Sequence, residues 1–408
     1  MMIPGNRLFC GIDVGKRKHM ACLQDGQGKV LLAAFAFTND AEGFARLQAR
    51  LAQTAGSQPV LVGLEATGHY WYALAEHVER WGYQIMIINP LQSAQQIRNA
   101  IRKHKSDAYD AQHITTLVRT GQVKPAVIPG DLAMSCRQLT RLWYALVEQR
   151  AKLKLLLNSR LECLWPEFES YLSVPLGTTG RALLRAAPTP QDLLALPNEA
   201  LTDLLQRASR GRLGEELAEH MRASARTSIG LARGREGMRR AVWSLLDALD
   251  ALEPVRQRLR SDIEDLASHL PDYLSSLPGI NAVRAVSLHG EIGDIRTFRT
   301  PEALVAFAGL DPKVYQTGQY EAPERQISKR GSPYLRKTLW RMAAIAITTK
   351  GPLRQYYQRK RKRGLHHLSA ITATALKLTR IVWRICTDQR AYLPKAGQPT
   401  RRCSTGWQ

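Results

Sequence analysis

The chain reads as an α/β domain followed by helices: an N-terminal mixed sheet with flanking helices, a long helical or coiled-coil middle, and a mainly helical C-terminal domain. Three observations predict this. Short β-compatible runs separated by turn residues fill 7–38 and recur at 59–64 and 83–88. Helical periodicity alternates with the later runs instead of following them as a block. From 132 onward, apolar residues recur every three to four positions over stretches much longer than a strand.

Taken in order, 7–14 is an apolar stretch ending in Gly11-Ile12-Asp13-Val14. Runs at 18–24 and 29–38 follow, split by the turn Asp25-Gly26-Gln27-Gly28, so three consecutive antiparallel strands are expected. Residues 41–52 have helical periodicity. Residues 59–64, P-V-L-V-G-L, form a buried-strand pattern with Glu65 at its end. A helix over 69–81 stops at Gly82, and a strand over 83–88 closes at Asn89-Pro90. Helices are expected at 93–101 and 107–120. Three strands, helix, strand, helix, strand, helix is the ribonuclease H-like plan.

The middle begins with a long helix over 132–168, ended by Trp165-Pro166. Gly and Pro breaks around a short helix occupy 176–196, and 197–229 is a polar, Arg-rich helical region. A second long helix covers 241–270, with a kink or break expected at Pro254. The two long helices suit an antiparallel coiled coil or dimer arm, or equally a packed bundle. Leu277-Pro278-Gly279-Ile280-Asn281 resembles the turn of a helix-hairpin-helix, which can offer N–H groups to a phosphate; a purely structural turn fits as well. A helix over 301–308, a polar loop or hairpin over 314–327, a helix over 334–348 and a final helix over 369–387 complete the chain. The expected divisions are 1–125, 126–270, 271–388 and a basic tail at 389–408, expected to be disordered.

The 408 residues carry a formal charge of +23, which calls for a polyanionic partner. Nucleic acid fits better than membrane, since no apolar run is long enough to span a bilayer and no signal segment opens the chain. Six scattered cysteines without a CxxC pair argue against structural zinc and against a secreted disulfide scaffold. The expected location is the cytoplasm.

Asp107 and Asp110 are the only acids between Arg80 and Asp131, and they sit among Arg98, Arg102, Lys103 and Lys105. Three-residue spacing puts both carboxylates on one helix face. Oxygen donors so placed suit Mg²⁺ or Mn²⁺, although a solvated face with lysine partners is the ordinary alternative. Asp13 and Glu65 end strands that are neighbours in a ribonuclease H-like layout. Four carboxylates would then converge, a costly arrangement without metal. Two divalent ions about 4 Å apart would turn it into a phosphoryl-transfer site.

These motifs resemble the DEDD transposases of bacterial insertion sequences, specifically insertion sequence family 110. The resemblance spans most of the chain. It rests on G-I-D-V-G-K at 11–16, E-A-T-G-H-Y at 65–70, I-N-P at 88–90 and K-S-D-A-Y-D-A at 105–111. It continues in L-P-G-I at 277–280, F-A-G-L-D-P at 307–312, Y-Q-T-G at 315–318 and S-K-R-G-S-P-Y-L-R at 328–336. It implies that Asp13, Glu65, Asp107 and Asp110 are the metal-binding tetrad of a RuvC-like domain. It further implies a serine nucleophile in a C-terminal transposase domain, a structured guide RNA from the same element, DNA as substrate, and a homo-oligomer of two or four subunits. Where the family has Tyr-x-Ser-Gly, this chain reads Tyr315-Gln316-Thr317-Gly318. Thr317 therefore stands in the nucleophile's place, as a secondary, more hindered alcohol. Ser328 and Ser332 occupy other motif positions and read as helix-start caps.

Lys105, Lys329, Arg330, Arg336, Arg359, Lys360 and Arg361 are the candidate nucleic-acid contacts. Trp71, Tyr72, Trp143 and Tyr144 read as core before they read as base-stacking platforms. The expected activity is a DNA transposase or recombinase. The alternatives are a structure-selective nuclease using the tetrad alone, or a decayed nucleic-acid-binding protein without catalysis.

Overall fold

In a computed structural model, the residues described are 7–66, 68–88, 106–122, 128–312, 316–317, 320–321 and 326–393. The helix expected at 93–101, Lys105, and the tail beyond 393 lie outside them. The described residues divide into two compact units, 1–128 and 129–408.

The first unit is a five-stranded mixed sheet, ordered β3-β2-β1-β4-β5. Its strands are β1 (Leu8–Asp13), β2 (Lys18–Gln24), β3 (Val30–Thr38), β4 (Val60–Glu65) and β5 (Gln84–Ile88). β1, β2 and β3 are antiparallel, whereas β4 and β5 add in parallel on the other side of β1. The β2–β3 turn is set by Asp25, whose Oδ1 accepts from the N–H groups of Gln27 and Lys29, both at 2.9 Å. This is the expected ribonuclease H-like order. The parallel steps need helical crossovers, and α1 (Ala41–Ala55) and α2 (Trp71–Arg80) supply helix after β3 and β4. Asp40 starts α1 by accepting from Gly43 N–H at 2.8 Å.

Both sheet faces are covered, and strand alternation decides which residue goes where. Leu8, Cys10 and Ile12 of β1 pack with Leu47, Leu51 and Leu74 of α1 and α2. Phe9 faces the other way, toward Ile114, Leu117 and Val118 of α3 (Asp107–Thr120). Trp71 is buried in the first core, as expected.

The second unit is helical. Two long helices, α4 (Asp131–Leu164) and α10 (Arg235–Ser268), run antiparallel. Arg150 meets Glu253 across them at 3.4 Å, and the Arg256 guanidinium lies 5.1 Å from the Trp143 ring centroid. Pro254 does not break α10. Buried apolar anchors sit on both sides of it, Leu246 and Leu249 before and Leu259 and Ile263 after. At one end of the pair, α5 (Phe168–Tyr171), α6 (Thr178–Ala186), α7 (Pro190–Ala195), α8 (Asn198–Ser209) and α9 (Glu215–Arg226) build a separate core around Trp165 and Phe168. Leu231 N–H donates to Cys163 O at 2.8 Å where the chain returns.

At the other end, α11 (Ala282–Ile292), α12 (Pro301–Phe307), α13 (Pro333–Ala346), α14 (Pro352–Lys362) and α15 (His367–Asp388) pack on the pair. Tyr144 is core, with its hydroxyl 2.7 Å from Thr338 Oγ1. Gly279, at φ +74°, turns the chain into α11; a Cβ there would lie 2.2 Å from Met342 O. That favours the structural reading of 277–281. The basic cluster at 359–363 falls mostly within α14, ahead of the last helix. Pro352 occupies the first turn of that helix, a position suited to its missing N–H.

Candidate active site

Alternation along β1 and β4 aims the site. Phe9, Gly11 and Asp13 share one face of β1, and Leu61, Gly63 and Glu65 share the same face of β4. That face carries α3. Gly11 and Gly63 are register partners in the parallel pair. Together they form a groove without side chains, into which α3 sinks. A Cβ on Gly11 would lie 2.2 Å from Thr115 N and 2.7 Å from Ala111 O, and one on Gly63 would lie 2.2 Å from Val118 Cγ2. Thr115 is fully buried there; its Oγ1 donates to Ala111 O at 2.7 Å and reaches Cys22 O at 3.3 Å.

So anchored, α3 carries Asp107 and Asp110 in its first turn. Ser106 caps that turn, its Oγ accepting from Tyr109 N–H at 3.2 Å. Carboxylates at this position are favoured by the helix dipole. Gly121, at φ +65°, ends the helix in the left-handed region. Asp13 and Glu65 stand at the C-terminal ends of adjacent parallel strands on this same face.

The electrostatics report the convergence. The Asp13 carboxyl is pushed up from 3.8 to about 6, first by burial, then by the charges of Glu65, Asp110 and Asp107. The Val14 backbone N–H pulls weakly the other way. Among the described residues, no three His, Cys, Asp or Glu side chains stand close enough to hold a metal ion as a group. The charges of Glu65, Asp110 and Asp107 all reach Asp13. Hard oxygen donors that repel one another match a hard divalent cation in chemistry and in charge.

His113 belongs to this site, and sequence reasoning missed it. Burial holds its ring below the ordinary histidine range, against the opposing charges of Asp110 and Glu65. Its Nε2 is buried and accepts or donates no hydrogen bond within the described residues. Tyr109 stacks on it at 6.3 Å between centroids, with the planes 9° apart. The three-residue step that singles out Asp107 and Asp110 continues to His113, and that signal was available.

The remaining candidates lie in the second unit. Thr317 is in the two-residue strand β6 (Gln316–Thr317), paired antiparallel with β7 (Tyr320–Glu321); Thr317 opposes Tyr320. Pro312 and Ile327 are bridged at the root of this hairpin. Ser332 is the N-cap of α13, as expected, accepting from Leu335 N–H at 3.1 Å. Ser328 is not a helix cap. Its hydroxyl donates to Asp311 Oδ1 at 2.5 Å and accepts from Arg330 N–H at 3.2 Å.

Lys329 and Arg330 are exposed on this turn, and Lys329 takes φ +54°. A non-glycine residue there carries backbone strain, held by Lys329 N–H to Gly309 O and Ser332 N–H to Phe307 O. Arg336 Nη1 donates to Ala308 O at 3.1 Å. Arg359 and Arg361 are exposed on α14, while Lys360 lies partly buried, its Nζ 5.5 Å from the Tyr356 ring centroid. Behind Ser332, Glu291 is 1 % exposed. It takes a bidentate contact from Arg141 at 2.7 and 3.1 Å and the Ser332 hydroxyl at 2.6 Å. Nothing in local sequence pattern marks that link among α4, α11 and α13.

Two family profiles match the chain. One is described as a DEDD transposase of the IS110 type and covers residues 10–166. The other is described as the IS116/IS110/IS902 transposase family and covers 272–358. The chain is similar to an insertion element IS116 protein of 44.8 kDa from Streptomyces clavuligerus, at 24 % identity over 95 % of this chain and 97 % of that one. It is similar to the transposase for insertion sequence element IS1328 of Yersinia enterocolitica, at 25 % identity over 94 % and 98 %. A pilin gene-inverting protein of Moraxella bovis is 22 % identical over 95 % and 98 %.

Proposed function

The chain belongs to the IS110-type DEDD transposase family, and from that premise we propose that Asp13, Glu65, Asp107 and Asp110 are the strand-cutting acids of a DNA transposase whose nucleophile is Thr317. The family cuts and rejoins DNA strands, and the kinship with a gene-inverting protein supports the same recombinase chemistry here. The observation that carries the reading is the placement of Asp13 and Glu65 at the ends of adjacent parallel strands, on the sheet face that carries the helix bearing Asp107 and Asp110 in its first turn. The Asp13 carboxyl there is raised first by burial and then by the other three charges. Such crowding is a cost that a catalytic site accepts and a solvated helix face avoids.

A divalent ion, Mg²⁺ or Mn²⁺, held by the tetrad would neutralise these acids and polarise a phosphodiester. Asp13 and Glu65 present their oxygens from rigid strand ends, while Asp107 and Asp110 present theirs from the capped first turn of α3. Thr317 Oγ1 attacks phosphorus, giving its proton to a base. The ester bond to the departing strand breaks, leaving that strand a free hydroxyl end and the other joined to Thr317. Attack by the freed hydroxyl of a second strand reverses the linkage and releases Thr317. Lys105, Lys329, Arg330, Arg336, Arg359, Lys360 and Arg361 bind phosphates along the way. The net charge of +23 suits DNA together with a structured RNA from the same element. The working unit is a homo-oligomer, and the reaction takes place in the cytoplasm, where the element's DNA lies. Among the described residues no helix is long and apolar enough to cross a membrane.

The test is to incubate the full chain with Mg²⁺, the element's flanking RNA and junction DNA, and to look for a protein–DNA adduct that survives denaturation. The adduct is expected in the wild type and absent in Thr317→Ala and in Asp107→Asn. Cleavage without any adduct would replace this reading with a nuclease that uses the tetrad alone. Binding without cleavage would leave a non-catalytic nucleic-acid-binding protein.

A further inference from the structure

A cavity of about 300 Å³ opens in the second unit at the root of the Thr317 hairpin. Leu310 and Ile327, the latter bridged to Pro312, form one wall. Arg336, Lys337, Trp340 and Arg341 of α13 form the other. Three cations on one short stretch of helix are unusual for a cavity with an apolar floor. Lys337 has one carboxylate partner, Glu148. Arg336 is drawn inward by its bond to Ala308 O, and its guanidinium lies against the Gly309 turn to which Lys329 N–H also bonds. The indole of Trp340 is anchored at its edge, Nε1–H donating to Thr372 Oγ1 at 3.3 Å.

Each feature points to the same ligand chemistry. The volume is at the small end for a ligand site, too small for a duplex and suited to one base. An aromatic ring beside cations is how single strands are gripped without sequence readout: the base stacks and the phosphate is held. Exposed Lys329 and Arg330 extend the positive surface toward the hairpin.

We propose that this cavity takes one unstacked nucleotide of the DNA strand being cut, with its base against Trp340 and its phosphates on Arg336 and Arg341. The pocket holds the strand next to the hairpin that bears Thr317, so the neighbouring phosphodiester is presented there and not elsewhere along the strand. The assignment of the strand rests on the transposase reading above. The binding itself does not need the chemistry, and the experiment is therefore run in the Thr317→Ala chain.

The probe is a single-stranded oligothymidylate carrying one 5-iododeoxyuridine, irradiated on the full-length protein and mapped after trypsin digestion. The adduct is expected on the peptide 338–341, which contains Trp340. Equilibrium binding of the same oligonucleotide should weaken roughly tenfold in Trp340→Leu and stay close to wild type in Trp340→Phe. Arg341→Gln should flatten the salt dependence by about one counterion. Adducts confined to other peptides, or full affinity in a folded Trp340→Leu, would overturn the pocket. If Trp340→Leu does not fold, the cross-link map decides alone. An oligouridylate that displaces the DNA and cross-links to the same peptide would overturn the DNA assignment in favour of RNA. Loss of the covalent adduct in the functional test, with this cross-link intact, would refute the Thr317 chemistry and spare the pocket.

Discussion

Gly11→Ala tests the geometry of the tetrad without touching an acid. The new Cβ would lie 2.2 Å from Thr115 N and 2.7 Å from Ala111 O, where real contacts stay above 3.0 Å. Both obstacles are backbone, so no rotamer change relieves them, and α3 must retreat by about 1 Å. A displacement of that size at a reacting centre costs on the order of 100-fold in rate. The overpacking should also cost about 1–3 kcal/mol of stability. Gly63→Ala makes the contrast. Its Cβ meets side chains only, Val118 Cγ2 at 2.2 Å and Ile88 Cδ1 at an ordinary 3.4 Å, so Gly63→Ala combined with Val118→Ala should recover most of the loss. Gly26→Ala, with nothing within 4 Å, is the neutral control. The assays are urea unfolding and DNA strand cleavage under single-turnover conditions. A folded Gly11→Ala protein with wild-type stability and cleavage would refute the close seating of α3 and the site built on it.

Two further outcomes are expected. Arg141→Met leaves the nearly buried Glu291 without its bidentate partner and should destabilise the second unit by about 3 kcal/mol in urea; Glu291→Gln, which keeps a hydrogen-bonding side chain for Ser332, should cost less. The pH dependence follows from Asp13, whose folded-state pKa lies above its ordinary value. The folded chain binds that proton more tightly than the unfolded chain, so stability is lost as pH rises from about 4 through about 6. A divalent ion should offset the loss only where Asp13 is ionised. Millimolar Mg²⁺ or Mn²⁺ should therefore raise the melting temperature at pH 7 and barely at pH 5; equal shifts at both would contradict the proposed metal role of Asp13.

Much of the first unit was legible because its signals are local. Turn residues at 25–28, the run P-V-L-V-G-L and the glycine stop at 82 each act within a few positions, and together they yield the strand order. The placement of Asp13 and Glu65 followed from that order. The Gly11–Gly63 groove was not legible, because it exists only once two distant strands fall into register. His113 was within reach of the spacing argument but lacked the burial that gives it meaning. The Arg141–Glu291–Ser332 link and the Ser328–Asp311 bond join residues distant in sequence, and no periodicity announces them. Pro254 allowed either a kink or a break; α10 runs through it without a break, with apolar anchors on both sides.

The hydrogen bond from Leu231 to Cys163 has a consequence for how such chains diverge. The backbone departs at the end of α4 and is back beside its point of departure before α10 begins. For the two long helices, everything in between is a detour with no net displacement. A detour of that kind can be lengthened, trimmed or exchanged while both ends of the stem stay where they were. The two family profiles stop at 166 and resume at 272, so the stretch neither matches holds all but the first two residues of the detour, together with α10. Elements of this kind can thus wear different heads on one stem, and a graft between relatives made at these two residues is the least disruptive place to cut.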